Sequence, residues 1–364
     1  MNKKFFGFIA VIIIAVVAAV KVVIVNQEMK KIIVLYLCGL MISSCQSNQK
    51  KVERLDVQLS VIYRDLETSL PGELIVMEKC LILSDPFATS EYIKVLDKQT
   101  GEKIFGFLDI GQGPNEFNMP RCDISTGSNV LTVFDLNVKK ILECDIDSLI
   151  EGKTPPRPGL FPFTDIICLA KYKPKQYVAT LFTGSKPFAI LKDNEIIFEF
   201  GKYPFSEKIT NLEDVFQGTT LYNVDRQVLG YATFNTPYLS LYKSEADTFR
   251  LLWESRFRNA HYSISNSELR YDKEQPAGIN GLAFAKDYIV CLVKEMRLKE
   301  SIGRMKEQMA KSVYIYNYEG ELVKILDLDM HTLRISAMSD SNVVYFVGLD
   351  EEYCLMKLDL GKYD

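Results

Sequence analysis

EYIKVLD (91–97), KQTG (98–101) and EKIFGFL (102–108) run on without a break, and their reading decides the fold. Ile93 and Val95 flank a lysine in the first run, and apolar residues recur at short spacing in the second. Both runs have the length and the alternation of β-strands, and a four-residue link ending in glycine joins them as a hairpin. Outward from this hairpin the same device returns along the chain. It consists of a strand, a turn, a second strand of the type x-Ile-x-Val/Ile-x-Asp/Asn, a hairpin and a third strand.

Six such units can be laid out. The first opens with KCLILSD (79–85) ahead of the hairpin above. The second has NVLTVFD (129–135) and KKILECDID (139–147). The third has strands at 165–172, 176–183, 187–193 and 195–201, and the fourth at 219–225, 227–234, 237–244 and 249–257. The fifth has 279–287, 288–295, 312–320 and 321–329. The sixth has 331–340, 342–350 and 353–360. The early run VERLDVQLSVIY (52–63) has no partner in the first unit and is free to complete the sixth. A period of roughly 40–55 residues with about four strands each is the pattern of a β-propeller. A single such sheet cannot bury both faces, whereas a closed ring of sheets can. The expected fold is therefore all-β, a six-bladed propeller of four-stranded antiparallel blades over 52–364. A β-sandwich needs only about 100 residues and leaves too much chain over.

Two segments depart from the pattern. Residues 294–311, KEMRLKESIGRMKEQMAK, carry Met296, Ile302, Met305 and Met309 at loose helical spacing and read as a charged helix inserted in the fifth unit. Residues 258–277 are polar and read as a long inter-strand loop.

The most specific internal motif is Gly111-Gln112-Gly113-Pro114-Asn115-Glu116-Phe117, followed by Pro120-Arg121. The glycines permit positive φ, Pro114 fixes a turn, and Phe117 can plug between blades. Asn115 also tolerates a left-handed backbone. The plain role is a blade-to-blade connector. The functional alternative is a ligand contact by Gln112, Asn115, Glu116 or Arg121 at the channel mouth. This G-x-G-P-x-E-F run resembles the inter-blade turn of NHL-like and TolB-like six-bladed propellers, in particular the BF3164-type lipoproteins of Bacteroidetes. IYNYEGELVKILDLD (315–329) is similar to a strand pair near the end of that family. The resemblance spans about residues 45–360 and implies a fold and an envelope location, with no activity to carry over.

Support for catalysis is thin. The only histidines are His261 and His331, far apart and without metal-ligand spacing, and each reads as a surface or loop residue. No G-x-S-x-G, P-loop or dinucleotide fingerprint occurs, and no cofactor is expected. Asp97, Asp135, Asp193, Asp327 and Asp350 recur at strand ends and read as turn caps. Cys80, Cys122, Cys144, Cys168, Cys291 and Cys354 lie mostly within apolar strands and read as buried thiols, with Cys80–Cys122 or Cys144–Cys168 pairing as the alternative.

The N-terminal region carries the address. Residues 1–44 hold five lysines against one glutamate, which leaves −8 on the rest of a chain of net charge −4. An acidic body argues against a nucleic-acid partner. Met29 begins MKKIIVLYLCGLMISSC, with a basic start, a core of about 11 apolar residues, too short to span a bilayer, and then Ile42-Ser43-Ser44-Cys45. That ending resembles the lipobox of bacterial lipoproteins, which implies acylation at Cys45 and a membrane partner through the lipid. On this reading 29–44 is the signal peptide and 45–51 the lipidated tether. Residues 1–28 contain a second apolar run, Phe5–Val25, whose insertion would put Lys30 and Lys31 on the translocated side against the positive-inside tendency. They read as a mis-assigned start, with a signal anchor in the inner membrane as the alternative. The residues after Cys45 lack an acidic run, so the favoured location is the outer membrane, periplasmic leaflet. The expected role is a non-catalytic module that binds a peptide, a glycan or an envelope protein. The alternatives are a hydrolase or lyase working through carboxylates such as Glu116, and a structural subunit of an envelope complex.

Overall fold

The computed structural model describes residues 52–363 apart from 206, 256–260, 273, 275–276 and 298–308. The lipobox and the two apolar runs before it lie outside the described residues, as does most of the expected helix at 294–311. At the edges of that insertion, residues 294–297 are not helical and a strand begins at Ala310.

The described residues open with two short strands, β1 (Glu53–Val57) and β2 (Ser60–Arg64), where the sequence reads as one. The first sheet is β3 (Leu74–Val76), β4 (Cys80–Ser84), β5 (Ile93–Asp97) and β6 (Lys103–Phe107), paired in that order. The second is β7 (Arg121–Cys122), β8 (Val130–Asp135), β9 (Lys140–Asp145) and β10 (Gly159–Leu160). A short helix α1 (Ile146–Ile150) follows β9, with Asp145 accepting from the Ser148 N–H as its N-cap. The third sheet is β11 (Ile166–Lys173), β12 (Gln176–Leu181), β13 (Phe188–Lys192) and β14 (Glu195–Phe200). A one-turn helix α2 (Leu212–Val215) precedes the fourth: β15 (Gly218–Asn223), β16 (Val228–Thr233), β17 (Leu239–Glu245) and β18 (Thr248–Ser255).

The segment expected as a loop at 258–277 carries its own hairpin, β19 (Tyr262–Ser265) and β20 (Glu268–Tyr271). The hairpin is stitched to the chain before β15 by a reciprocal pair of bonds between the Asn211 side chain and the Leu269 backbone, each 3.0 Å. Leu269 also packs with Ile209, Leu212 and Val215. Four alternating residues per strand are too few to stand out in a polar stretch.

The last sheet joins β21 (Ile279–Phe284), β22 (Ile289–Val293), β23 (Ala310–Tyr316), β24 (Leu322–Ala337), β25 (Val343–Leu349) and β26 (Tyr353–Asp359). The 16-residue β24 reads in sequence as two strands. Its first half is the outer partner of β23, and its second half, from His331, is the first partner of β25. The N-terminal strands then cover the open edges. β2 pairs antiparallel with β26, as the unpartnered early run led one to expect, and β1 adds parallel to β24. Arg54 ties this clasp, bonding Asp327 at 2.5 and 2.7 Å and Glu295 at 2.6 Å. An edge covered in this way cannot template aggregation.

These sheets pack face to face as a β-propeller of four-stranded blades, the two halves of the last sheet, which share β24, packing on each other as well. Every pair of neighbours has an apolar seam. Val133 and Leu142 meet Ile82 and Val95, Phe134 meets Leu169 and Ala179, and Tyr172 and Phe188 meet Tyr231 and Tyr242. Leu239 and Leu241 meet Ile289 and Cys291, Val290 and Val313 meet Phe346 and Met356, and Val347 and Leu355 meet Leu81 and Leu83. The last seam joins the end of the chain to its beginning. Burial follows from position in a sheet. The second strands β4, β16 and β22 are buried throughout, with neighbours on both faces, whereas of the outer strands β14 is largely exposed and β6 is exposed or half-buried.

The hairpin that opened the reading is present as expected. Asp97 caps its turn by accepting from the Gln99 and Thr100 N–H groups, both at 2.8 Å, and those bonds hold its carboxyl below the usual range. Gly101 adopts φ +76°, and a Cβ there would sit 2.4 Å from Cβ of Tyr63 on β2, so both backbone and packing require glycine.

Candidate functional site

Successive antiparallel strands reverse direction, so the turns between second and third strands lie at the same end of the ring as the connectors that enter each first strand. A cavity of about 560 Å³ opens among them. Its wall draws on the first strand of every sheet: Leu74, Arg121 and Cys122, Ile167 to Leu169, Gly218 to Thr220, Asn280 to Leu282, and Arg334 with Ile335. Connector residues Glu73, Asn118 to Pro120, Glu213 and Gln217 complete the rim, with Pro86, Phe182 and Phe234 from the turns. A volume of this size suits a small molecule or a short segment of a polymer.

The glycine-rich motif lies in the connector from β6 to β7. Phe117 is fully buried in the seam between the first two sheets. The glycines serve a purpose other than the expected one, since neither Gly111 nor Gly113 has positive φ, and nor does Asn115. The carboxylate of Glu116 folds back over both glycines and accepts from the Gly113 N–H at 2.7 Å. A Cβ on Gly111 would lie 2.0 Å from its Oε2. Lys140 then caps the turn, donating to the Gly113 and Glu116 carbonyls at 2.7 and 2.6 Å. Asp135, fully buried, receives the Asn118 and Met119 N–H groups at 2.6 and 2.8 Å and fixes where the connector enters the cavity. Of the four candidate ligand residues, Arg121 lines the cavity, while Gln112, Asn115 and Glu116 belong to the turn outside it.

Four charged side chains line the cavity: Glu73, Glu213, Arg121 and Arg334. Arg334 donates from Nε to the Gly72 carbonyl at 2.5 Å and from Nη1 to the Leu333 carbonyl at 3.3 Å. Burial pushes its guanidinium below its ordinary pKa, with Glu73 opposing the shift. Arg121 donates to the Ile167 carbonyl at 2.7 Å. Glu73 accepts from the Ser84 hydroxyl and stands beside Tyr92, whose hydroxyl donates to the Pro120 carbonyl at 2.7 Å. Burial and Glu73 push the Tyr92 phenol up. Lys294 is lowered by burial and then by Arg334, which places it in the same positive field.

Cys122 and Cys168 also face the cavity. Burial raises both thiols, Cys168 to about 11 even with Arg121 near it, so they are held protonated and are poor nucleophiles. All six cysteines of the body are free thiols in the structure. His331 is not a loop residue: it lies half-buried within β24. Nor are all the strand-end aspartates turn caps, since Asp327 is taken by Arg54 and Ser312, and Asp350 pairs with Arg64. Among the described residues no three His, Cys, Asp or Glu side chains are placed to hold a metal ion.

No family model and no curated protein matches the chain. Solved structures do. BF0058 of Bacteroides fragilis, described as a candidate exported protein, aligns with a TM-score of 0.57 at 10% identity, over 84% of this chain and 97% of its own. A member of the DUF4221 family from Bacteroides vulgatus aligns with a TM-score of 0.57 at 12% identity, over 85% of this chain and 98% of its own. At such identities the likeness is one of fold.

Proposed function

We propose that this chain is an exported, lipid-anchored propeller of six blades that acts as a non-catalytic binding module, taking a peptide, a glycan or a segment of an envelope protein in the cavity between its inner strands. The observation that carries the binding role is the cavity itself, a rigid recess to which every sheet contributes and whose rim is built from connectors. The count of six rests on the seams and on the division of the long sheet within β24. Export, and the finer likeness to BF3164-type lipoproteins, rest on Ile42-Ser43-Ser44-Cys45 and on the Bacteroides protein described as a candidate for export. The outer membrane is the proposed site of the anchor. No catalytic role is proposed for Glu116, whose carboxylate is engaged by its own turn.

The test is a peptide and glycan array probed with the detergent-solubilised full chain and with Gln217→Trp, which places a bulky ring at the rim. Ligands bound by the wild type and lost in Gln217→Trp, but retained by Lys153→Ala on a distant exposed turn, are the expected result. Binding that Gln217→Trp leaves intact would remove the cavity from the account.

A further inference from the structure

We propose that the cavity takes a ligand bearing a single carboxylate on an apolar body, and that Arg334, together with Arg121, holds that carboxylate. This rests on the reading of the cavity as a ligand site and goes further by naming the ligand's chemistry. A guanidinium offers five N–H donors in a planar fork. Arg334 spends Nε and Nη1 on backbone carbonyls, which position the group without neutralising it, and among the described residues Nη2 makes no bond. Among the described residues no carboxylate lies within ion-pair distance of Arg334 or of Arg121, and Arg121 also donates to a backbone carbonyl. Buried charges in proteins are ordinarily paired. The pairing elsewhere in this chain follows that rule: Lys94 with Asp85 and Lys171 with Glu143, at 2.9 and 2.8 Å. On the wall of this cavity Arg334, desolvated by burial, and the exposed Arg121 hold backbone carbonyls and form no ion pair among the described residues, and with Lys294 adding to the field of Arg334 they mark a place for an anion from outside.

The kind of anion follows from the rest of the wall. Glu73 and Glu213 line the same space and offset the two arginines, which disfavours a dianion such as phosphate. A planar carboxylate matches the guanidinium fork. Ile167, Leu169, Ile335, Phe182 and Phe234 give the remainder of the ligand an apolar surface to lie on.

The experiment measures affinities of the full chain in detergent for N-acetyl-leucyl-phenylalanine and 4-phenylbutyrate, for the primary amide of each, and for inorganic phosphate. Each acid is expected to bind at least tenfold more tightly than its amide. Arg334→Gln and Arg121→Gln should each weaken the acid by tenfold or more and leave the amide unchanged, with melting temperature confirming the fold. Should Arg334→Gln fail to fold, Arg121→Gln and Arg334→Lys carry the comparison, the lysine keeping charge but losing the fork. Acid and amide bound alike, and both lost in Gln217→Trp, would overturn the carboxylate while leaving the cavity as a ligand site. Phosphate bound in preference to the acids, or no acid bound at all, would equally overturn it, and the array then decides the cavity reading separately.

Discussion

Asp123 is buried directly after β7, at the end of the second sheet's first strand, where it meets β11 of the third sheet. It accepts from the Ser125 N–H and hydroxyl at 2.9 and 2.6 Å and from the Lys171 N–H at 2.7 Å. Desolvation outweighs these bonds and raises its carboxyl to about 6. A value above that of an exposed aspartate means that the folded state holds the proton more tightly than the unfolded chain. Its contribution to stability is therefore greatest below about pH 4 and is lost as pH rises to about 6, by roughly 3 kcal/mol, and is flat above that. Urea melts at pH 4, 5, 6 and 7 should show this decline in the wild type. Asp123→Asn should lower stability, since an amide N–H would face the Lys171 donor, and should remove the decline. A variant whose pH profile matches the wild type would assign the slope to other groups. The same scale explains what stayed illegible. Asp97 announces its role through the adjacent turn, but Arg334 sits in HTLRISAMSD as one arginine among many. Only the strand's placement beside Gly72 and the cavity gives it meaning.

At the scale of elements, alternation and turn chemistry made most strands readable, and the third and fourth sheets fall within a few residues of expectation. The failures have physical causes. β7 and β10 are two residues long and carry no periodicity of their own. They are held by pairing to β8 and β9. β24 was legible only as two strands because Asp327 and Asp329 interrupt the apolar pattern, and those positions are where β1, Arg54 and the Leu59 N–H attach from elsewhere in the chain. The clasp of β1 and β2 supplies the sharpest prediction at this scale. Deleting residues 52–64 uncovers β26 and the outer side of β24. The expected loss is roughly 3–5 kcal/mol, with a fall in melting temperature on the order of 10 °C and association through the bared strands. Light scattering after gel filtration reads the second effect, and a deletion variant that stays monomeric with the wild-type melting point would show that the ring closes without its clasp.

For the whole molecule, the recurrence of four-strand units pointed to a propeller before any contact was known, because a propeller repeats its local pattern. The cavity could not be foreseen in the same way. Its wall collects residues from Gly72 to Ile335, and no local spacing encodes which of them meet. Arg121 was within reach through its motif, whereas Glu73, Glu213 and Arg334 were not. The proposed anchor is tested at this scale as well. Cys45→Ala should move the chain from the membrane to the soluble envelope fraction and abolish incorporation of labelled palmitate, and an unlabelled wild-type chain would remove the lipid from the account.

The undivided β24 has a bearing on how such a chain can vary. Between most sheets an insertion merely lengthens a connector, as the hairpin β19–β20 before β21 illustrates. At Asp329 to His331 there is no connector, and any insertion, cleavage or splitting of the gene there cuts a strand that two sheets hold in common. In duplication, recombination or the engineering of permuted forms, the sheets on either side of that strand travel as one heritable block, and the natural joints of the molecule lie everywhere else.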